Sequence, residues 1–296
     1  KVDRYFMLPS GCFCSDEFTV SDDCMRSYET CDISDYTWSL GYMFDATKNA
    51  RYADRLEKCV FNAGMGSVLE NFKGLQYFSC ANQIIADNRS NHNDFYKGSK
   101  WMSYRPNPGT ECCPGNVNRF MPNYILNSAK RYGNEVYIAS FCDADYDFGD
   151  IRITERTEFP FEESIEFDIA TEKRFILKLR IPEWADGYEL TVDGKEVQVK
   201  TIHGFVDMEI SGDCSVRLSL SSSIEKVQTR DGVYFQKGAL VYSLGQKGRR
   251  EIDNTEPRSS SEFPAYNMYP TEKWCYGIAE NAVARFICGS GLRFGS

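Results

Sequence analysis

The sequence predicts a multidomain α-plus-β protein, helical in its first part and an antiparallel β-sandwich in its second. Before Gly133, apolar residues recur at the three- and four-residue spacing of a helix face; after it, they alternate with polar residues. Short alternating runs then follow one another about every 8–12 residues, broken by turn residues such as Asp193-Gly194, which is typical of a sandwich. We therefore divide the chain into residues 1–133, 134–245 and 246–296.

Three helices are predicted in the first part. The apolar faces of two are Tyr52, Leu56, Cys59, Val60 and Ala63, and Val117, Phe120, Met121, Tyr124, Ile125 and Ala129. Gly133 is placed to cap the second of these, in which Pro122 implies a kink or a late start. A less regular helix is predicted over residues 22–45, and a short strand or hairpin over 74–80.

The second part contains a series of predicted strands. They cover residues 136–141, 151–157, 165–169, 175–181, 190–192, 216–220 and 233–242. From about Gly245 the pattern becomes irregular, with one last strand predicted at 282–288. The segment 246–296 is therefore expected to be a separate β-rich or irregular unit.

The charge of the chain disfavours binding to nucleic acid, and its hydropathy disfavours a membrane-spanning segment. The chain carries 34 Lys and Arg against 43 Asp and Glu, a net charge of -9, whereas a nucleic-acid site needs clustered cations. No apolar run approaches the about 20 residues that span a bilayer. The chain opens on Lys1-Val2-Asp3, which reads as mid-protein sequence, so we expect further residues to precede it. Most of the 12 cysteines are interpreted as reduced packing residues.

Four residues of the helical part are candidate metal ligands. Cys112 and Cys113 are adjacent, and adjacent cysteines are poor disulfide partners because the ring that they would close is strained. With Glu29 and Cys31 they offer three thiols and a carboxylate, enough for a tetrahedral Zn²⁺ site. Glu29 and Cys31 would diverge by about 200° on a regular helix. Both can therefore face one ion only at a helix end or a local break.

The residues around the tandem thiols leave their role open. Pro114 disfavours a helix at Cys113 and predicts a loop that leads into the next helix. The free N–H groups of such a helix end lower the pKa of a nearby thiol. From spacing alone, three interpretations stand: a catalytic thiolate, a structural zinc clamp between two helices, or four unrelated residues.

A candidate general acid lies upstream, in the loop of residues 10–18. Glu17 is a carboxylate whose pKa would rise if it were buried near an apolar wall; a solvated acidic residue is the alternative. The two histidines, His92 and His203, fall in a polar loop and in a hairpin turn. We interpret both as surface residues, which disfavours a Ser–His or Cys–His mechanism.

Together these motifs resemble glycoside hydrolase family 127, the β-L-arabinofuranosidase type. The specific part is the combination of residues 29–31, Glu-Thr-Cys, with residues 112–119, Cys-Cys-Pro-Gly-Asn-Val-Asn-Arg, after the Ser-Gly and Asp-Glu pairs of the loop at 10–17. Residues 179–185, 191–194 and 237–242 are similar to segments of the family's sandwich. The resemblance extends across nearly the whole chain, although Gly115 stands where the family's motif usually has a second proline.

The resemblance implies a fold, a cofactor and site residues. Family members place an (α/α)₆ barrel before β-sandwich domains, so residues 1–133 would be the C-terminal part of that barrel. A zinc ion would be held by Glu29, Cys31, Cys112 and Cys113, with Cys112 as the nucleophile. Glu17 is the best match to the general acid/base.

The implied activity is retaining hydrolysis of a carbohydrate, releasing β-L-arabinofuranose from plant-type glycans. Tyr77, Asn82 and Gln83 are predicted to face that substrate, with core packing as the alternative. Two other functions stay open. One is a non-catalytic carbohydrate-binding or scaffold protein with structural zinc, and the other is a related glycosidase that acts on another sugar.

Overall fold

The computed structural model describes residues 1–15, 18, 21–89, 99–107, 112–273, 277, 284–287 and 291–294. Its α-helices are α1 Val2–Tyr5, α2 Thr30–Thr47, α3 Arg51–Lys58, α4 Cys112–Asn116 and α5 Phe120–Leu126. A π-helical segment, Cys59–Gly64, continues α3, and 3₁₀ turns span Ser99–Met102 and Val117–Arg119. None of these helices combines the length and the apolarity that crossing a membrane requires.

Strands dominate the rest of the described chain. They are β1 Ser27–Glu29, β2 Phe78–Cys80, β3 Ala129–Tyr132, β4 Glu135–Ile138, β5 Ala144–Asp147, β6 Ile151–Thr157, β7 Ser164–Thr171, β8 Phe175–Arg180, β9 Gly187–Val192, β10 Lys195–Glu196, β11 Thr201–Ile202, β12 Phe205–Ile210, β13 Cys214–Ser221, β14 Ile224–Gln228, β15 Val233–Lys237, β16 Leu240–Tyr242, β17 Gly248–Ile252, β18 Tyr266–Pro270, β19 Ala284–Ile287 and β20 Gly291–Phe294. The order of helices first and strands afterwards agrees with the sequence prediction. The proposed division at residues 133 and 245 stays a prediction.

The predicted helix over 22–45 starts too early. α2 begins only at Thr30, because Glu29 is extended, at φ −86° and ψ 145°, and pairs in a strand instead. The backbone N–H of Glu29 donates to Oδ2 of Asp32 at 3.0 Å, as in a capping box. The helix ends at Lys48, which adopts the left-handed conformation.

The helix predicted from Tyr52 to Ala63 is present as α3 and its π-helical continuation. Its buried face carries Leu56, Cys59, Val60 and Ala63, each at most 1 % exposed. These side chains join the core of the helical part, together with residues of α2 and α5. The apolar spacing therefore predicted this element and its inward face correctly.

The continuous helix predicted over 117–129 is wrong at both ends. A 3₁₀ turn at Val117–Arg119 precedes α5, so that Pro122 lies in the first turn of α5, where its missing N–H costs no hydrogen bond. The helix stops at Leu126, and Ala129 instead pairs with Ile138 in the β3–β4 hairpin. Gly133, at φ +65°, lies in the turn of that hairpin and does not cap a helix.

Two sheets form the sandwich, in the strand orders β10-β9-β13-β7-β6-β5 and β11-β12-β8-β4-β3. Side chains alternate between buried and exposed along β7, as the period of two predicts. The core between the sheets includes the fully buried Phe167, Leu177, Val206 and Leu218. Burying a side chain of this size stabilises the fold by about 1.5–3 kcal/mol.

The strands of the sandwich depart from the prediction in three respects. β4 and β8 pair in parallel, because the chain crosses to the other sheet for β5 to β7 before it returns. β12 was not predicted, although its sequence alternates between apolar and acidic residues as a strand with one buried face does. Asp207 and Glu209 alternate with buried residues on that strand. The predicted strand over 233–242 is two strands, β15 and β16, joined at Gly238, whose φ is +56°.

Buried ion pairs tie the helical part to the sandwich. Arg180, at the end of β8, is fully buried and pairs with Asp54 and Glu57 of α3. Nε1 of Trp184 donates to the Glu57 carboxylate at 3.0 Å. The helix and the sheet are therefore fixed to each other by charges that have little access to water.

The buried carboxyl of Glu155, on β6, is expected to make the free energy of unfolding depend on pH. Its Oε1 accepts the N–H of Cys142 at 3.0 Å and its Oε2 accepts the hydroxyl of Tyr146 at 2.9 Å. Burial raises the pKa of Glu155 to about 8, although these hydrogen bonds oppose the rise. Between about pH 5 and pH 8 the folded state therefore keeps a proton that the unfolded state has lost. The free energy of unfolding should fall as the pH rises, by at most about 1.4 kcal/mol per pH unit from this group.

Glu155→Gln should flatten that decline, because the amide imitates the protonated carboxyl. Urea unfolding of both proteins at pH 5, 6, 7 and 8 measures the slope. Glu166→Gln, an exposed glutamate on the neighbouring strand β7, should leave the slope unchanged. An equal pH dependence for wild type and Glu155→Gln would contradict the assignment.

Candidate metal centre

A short antiparallel strand pair places Glu29 at the start of α2. β1 pairs with β2 so that Glu29 lies opposite Phe78. The next residue, Thr30, is fixed twice: its N–H donates to the carbonyl of Tyr77 at 3.0 Å, and its hydroxyl donates to the carbonyl of Gln76 at 2.6 Å. The chain therefore changes from strand to helix between Glu29 and Cys31. This is the helix end at which two such residues can face one ion.

The tandem cysteines lie on a helix of a single turn. α4 starts at Cys112, so the prediction that Pro114 keeps Cys113 out of a helix is wrong. Pro114 occupies the first turn, where a backbone N–H has no partner within the helix. α4 packs against α2, which brings both thiols to the end of α2 that carries Cys31.

Glu29, Cys31, Cys112 and Cys113 converge on one point. Sγ of Cys113 lies 3.2 Å from Sγ of Cys31 and 3.3 Å from Oε1 of Glu29. Sγ of Cys112 lies 3.8 Å from the same carboxylate oxygen. One ligand atom from each of the four residues lies within 4.8 Å of the others, so the group could hold a metal ion. Residues up to 84 positions apart in the chain thus form one cluster.

The three thiols of the cluster differ in their access to solvent. Cys113 is completely buried, Cys31 is half-buried and Cys112 is exposed. The carboxylate of Glu29 is buried beside them, with 8 % of the residue exposed. A molecule that arrives from solvent would therefore meet Cys112 first.

All four groups of the cluster, three thiols and one carboxyl, carry negative charge when they are ionised. Burial raises the pKa of Cys113 far above its ordinary value, and Cys31 and Glu29 raise it further. Burial also raises the pKa of Cys112, while the hydroxyl of Tyr77 opposes the rise. Several negative charges in a confined, partly dry site need a compensating cation. A bound divalent metal supplies that charge and stabilises the thiolates.

Tyr77 contacts the cluster directly. Its hydroxyl lies 3.2 Å from Sγ of Cys112. Its ring makes edge-to-face contacts with Phe78 and Trp101, with centroids 4.7 Å and 4.1 Å away. Tyr77 therefore packs as a core residue and also presents its hydroxyl to the exposed thiol. Whether it contacts a substrate stays a prediction.

The other two predicted substrate contacts lie farther along the same segment. Asn82 is exposed in the turn after β2. The side-chain amide of Gln83 accepts a hydrogen bond from Gln76 at 2.9 Å and donates to the carbonyl of Met102 at 2.6 Å. These bonds connect the segment after β2 to Gln76 and Met102. Contact of Asn82 or Gln83 with a substrate also stays a prediction.

The sequence predictions did not include two polar neighbours of the cluster. Asp32 accepts the N–H of Glu29 and so fixes the backbone of a candidate ligand; the signal was a carboxylate three residues after the helix start. Asn116 donates from Nδ2 to Sγ of Cys31 at 3.1 Å. It was part of the tandem-cysteine motif, but nothing in the spacing indicated which sulfur it would reach.

Two predicted residues lie outside the described residues, namely the candidate acid Glu17 and His92. The other histidine, His203, is exposed in the turn between β11 and β12, as predicted. The role of Glu17 therefore depends on the sequence motif.

Family models match two adjoining parts of the chain. Residues 2–125, which contain the whole cluster, match the catalytic domain of the β-L-arabinofuranosidases of glycoside hydrolase family 127. Residues 134–220 match the middle domain of the same family. The chain belongs to glycoside hydrolase family 127. The resemblance drawn from the Glu-Thr-Cys and Cys-Cys-Pro motifs is thereby confirmed.

A curated member of family 127 is similar to this chain in sequence. It is the non-reducing end β-L-arabinofuranosidase of Bifidobacterium longum subsp. longum, 26% identical over 247 residues that cover 77% of this chain. The match covers 36% of that enzyme. The chain thus spans about a third of the length of this relative.

Solved structures of family 127 share the fold. A β-L-arabinofuranosidase from Geobacillus stearothermophilus T6 aligns with a TM-score of 0.66 at 15% identity, covering 91% of this chain and 52% of that one. Another β-arabinofuranosidase of the family aligns with a TM-score of 0.67 at 16% identity, over 90% of this chain and 51% of that one. At this identity the likeness concerns the fold.

Proposed function

We propose that the chain is part of a retaining glycoside hydrolase that uses Cys112 of a zinc-binding cluster as its nucleophile. The observation that carries the proposal is the convergence of Glu29, Cys31 and the tandem cysteines, in which Cys112 is the exposed thiol. Membership of family 127 supports a carbohydrate substrate. The name of the Bifidobacterium relative supports β-L-arabinofuranose as the released sugar, from plant-type glycans.

The donor set fits zinc. Protein zinc sites take thiolate and carboxylate ligands in a tetrahedron with Zn–S of about 2.3 Å, which separates neighbouring donors by roughly 3.5–3.8 Å. Three of the separations in the cluster are 3.2, 3.3 and 3.8 Å, and all four ligand atoms lie within 4.8 Å of one another, so small side-chain shifts would bring them to zinc spacing. Calcium and magnesium prefer oxygen ligands, so three sulfurs disfavour them. When bound, zinc would keep the thiols ionised at neutral pH and stabilise the sulfur again when it leaves carbon.

The proposed reaction has two displacements. The sulfur of Cys112 attacks the anomeric carbon while Glu17 protonates the leaving glycosidic oxygen, so a C–S bond forms as the C–O bond breaks. Glu17 then takes a proton from water, and the water oxygen replaces sulfur at the same carbon. Two inversions retain the configuration. The hydroxyl of Tyr77 donates to the sulfur of Cys112 whenever that sulfur carries charge.

The helices of the first part are proposed to belong to an (α/α)₆ barrel, as the family resemblance implies. The sandwich that follows would then pack beside the catalytic unit through the buried pairs of Arg180. Because the chain spans about half the length of its structural relatives, the activity and the substrate of the whole protein belong to the proposal.

A non-catalytic protein with structural zinc is the second candidate. The observation in its favour is that four protein ligands already complete a tetrahedral shell, which is the usual composition of a structural site. Zinc content does not separate the two candidates, because both hold the metal. Turnover does.

The test is hydrolysis of aryl glycosides by the full-length protein, with Glu17→Gln as the acid/base variant. We expect release of the aryl group from a β-L-arabinofuranoside, and at least about a hundredfold loss in Glu17→Gln, since general acid catalysis typically contributes that much. Asp16→Asn, at the adjacent position, is the matched control and should keep its activity. Hydrolysis of other aryl furanosides or pyranosides instead would indicate a related glycosidase. No hydrolysis by a zinc-loaded protein would favour the structural alternative.

A further inference from the structure

We infer that Asn116 is a positioning residue of the metal cluster, which fixes Cys31 as an anchoring ligand through an amide N–H···S hydrogen bond. The inference rests on the proposed function, because it concerns the same cluster. It adds a residue that holds one particular sulfur in place and so helps to reserve Cys112 for the reaction.

Two hydrogen bonds from Asn116 connect the two halves of the cluster. Nδ2 of Asn116 donates to Sγ of Cys31 at 3.1 Å, and the carbonyl of Asn116 accepts the hydroxyl of Ser34 at 2.6 Å. Cys31 and Ser34 lie on α2, whereas Asn116 is the last residue of α4. Together with the packing of α4 on α2, these bonds hold the five-residue helix and its thiols against α2.

The N–H···S bond also affects the sulfur itself. A hydrogen bond to a charged acceptor is about twice as strong as one between neutral groups. It withdraws electron density from the sulfur lone pairs, and this makes Cys31 a weaker nucleophile. Partners of this kind typically change metal affinity by 10–100-fold when they are removed. Among the described contacts, Cys112 has the hydroxyl of Tyr77 in place of an amide, and it differs from Cys31 in being exposed to solvent.

The experiment titrates the metal-free protein with Co²⁺ and records the sulfur-to-cobalt charge-transfer band. Asn116→Ala removes the donor, and Asn116→Asp keeps the size of the side chain while placing acceptor oxygens against the sulfur. Ser34→Ala removes only the backbone tether. Asn118→Ala, an exposed asparagine two positions along, is the matched control. Circular dichroism checks that each variant is folded.

We expect Asn116→Ala to weaken Co²⁺ binding about tenfold or more and to move the band to longer wavelength, because the sulfur lone pair rises in energy. Asn116→Asp should weaken binding further. Ser34→Ala should weaken binding without moving the band, and Asn118→Ala should change neither. An Asn116→Ala protein that behaves like Asn118→Ala would overturn the inference. So would an unmoved band in Asn116→Ala, since Asn116 would then act only as a tether.

The inference and the proposed function fail in different ways. A folded wild-type protein that takes up no Co²⁺ would overturn both. Tight Co²⁺ binding without glycoside hydrolysis by the zinc protein would overturn the activity alone. The band position in Asn116→Ala would still decide the role of Asn116.

Discussion

Cys112→Ser is expected to lower kcat on an aryl β-L-arabinofuranoside by at least about a thousandfold, as is usual when a nucleophile is removed. A serine hydroxyl ionises at a far higher pH than a thiol and is a much weaker nucleophile at neutral pH. The substitution exchanges one atom in an exposed side chain, so the fold should be kept. Glu29, Cys31 and Cys113 remain, and they should still bind metal, although more weakly.

The control for this experiment is Cys214→Ser, the same exchange on strand β13 outside the cluster. It should leave kcat unchanged. Mass spectrometry of the wild-type protein, quenched during turnover of a slowly released substrate, should find one pentose on the peptide that contains Cys112. Undiminished activity in Cys112→Ser, or a sugar on another residue, would rule out the assigned nucleophile.

Arg180→Met is expected to lower the free energy of unfolding by about 3–5 kcal/mol. Arg180 is fully buried between Asp54 and Glu57, and Glu57 is fully buried as well. Burial already raises the pKa of Glu57, although Arg180 opposes the rise. Without the guanidinium group, both carboxyls must either stay charged in a dry site or take up protons. Either outcome costs free energy that the paired arrangement avoids.

Removing the negative charges of Asp54 and Glu57 should recover most of the free energy of unfolding that Arg180→Met loses. Urea unfolding is expected to show that Arg180→Met combined with Asp54→Asn and Glu57→Gln is more stable than Arg180→Met alone, because no unpaired charge remains buried. Arg174→Met is the matched control; that arginine is 72% exposed and pairs with Glu209, so its loss should change the free energy by less than about 1 kcal/mol. If the triple variant is as unstable as Arg180→Met, unpaired charge is not the cause.

The members of the candidate metal cluster could be predicted from the sequence because they lie in two short motifs, Glu-Thr-Cys and Cys-Cys-Pro, that resemble those of the family. Adjacent cysteines that cannot form a good disulfide, together with a Glu-Thr-Cys triplet, offered shared ligation as one of three interpretations, and the family resemblance selected it. The two-residue spacing of Glu29 and Cys31 also required a helix end or a local break if both were to face one ion. The structure places the start of α2 there. Two neighbours were missed, Asp32 and Asn116, because a hydrogen bond to a named sulfur or N–H depends on how α4 lies against α2.

Strand positions were predicted well where one face of a strand is buried and the other is not. β6 and β7 alternate cleanly, so their limits were close to those observed. β12 is an exception: Asp207 and Glu209 alternate with its buried residues in the same way, and it was still missed. The end of α5 was missed for another reason: Ala129 continues a helical spacing, but its backbone bonds with Ile138 are better satisfied in a hairpin.

By itself, the sequence indicated the family and the order of helices and sandwich, and the family motif singled out the four residues of the candidate metal cluster. The order of the elements follows from local periodicity, and the four residues follow from short motifs that resemble those of the family; both kinds of signal extend over only a few residues. Only the tertiary structure decided that Cys112 is the exposed thiol, that Asn116 reaches Cys31, and that Arg180 joins α3 to β8. Burial and long-range contact are set by the packing of distant segments, and no local pattern in the chain encodes them.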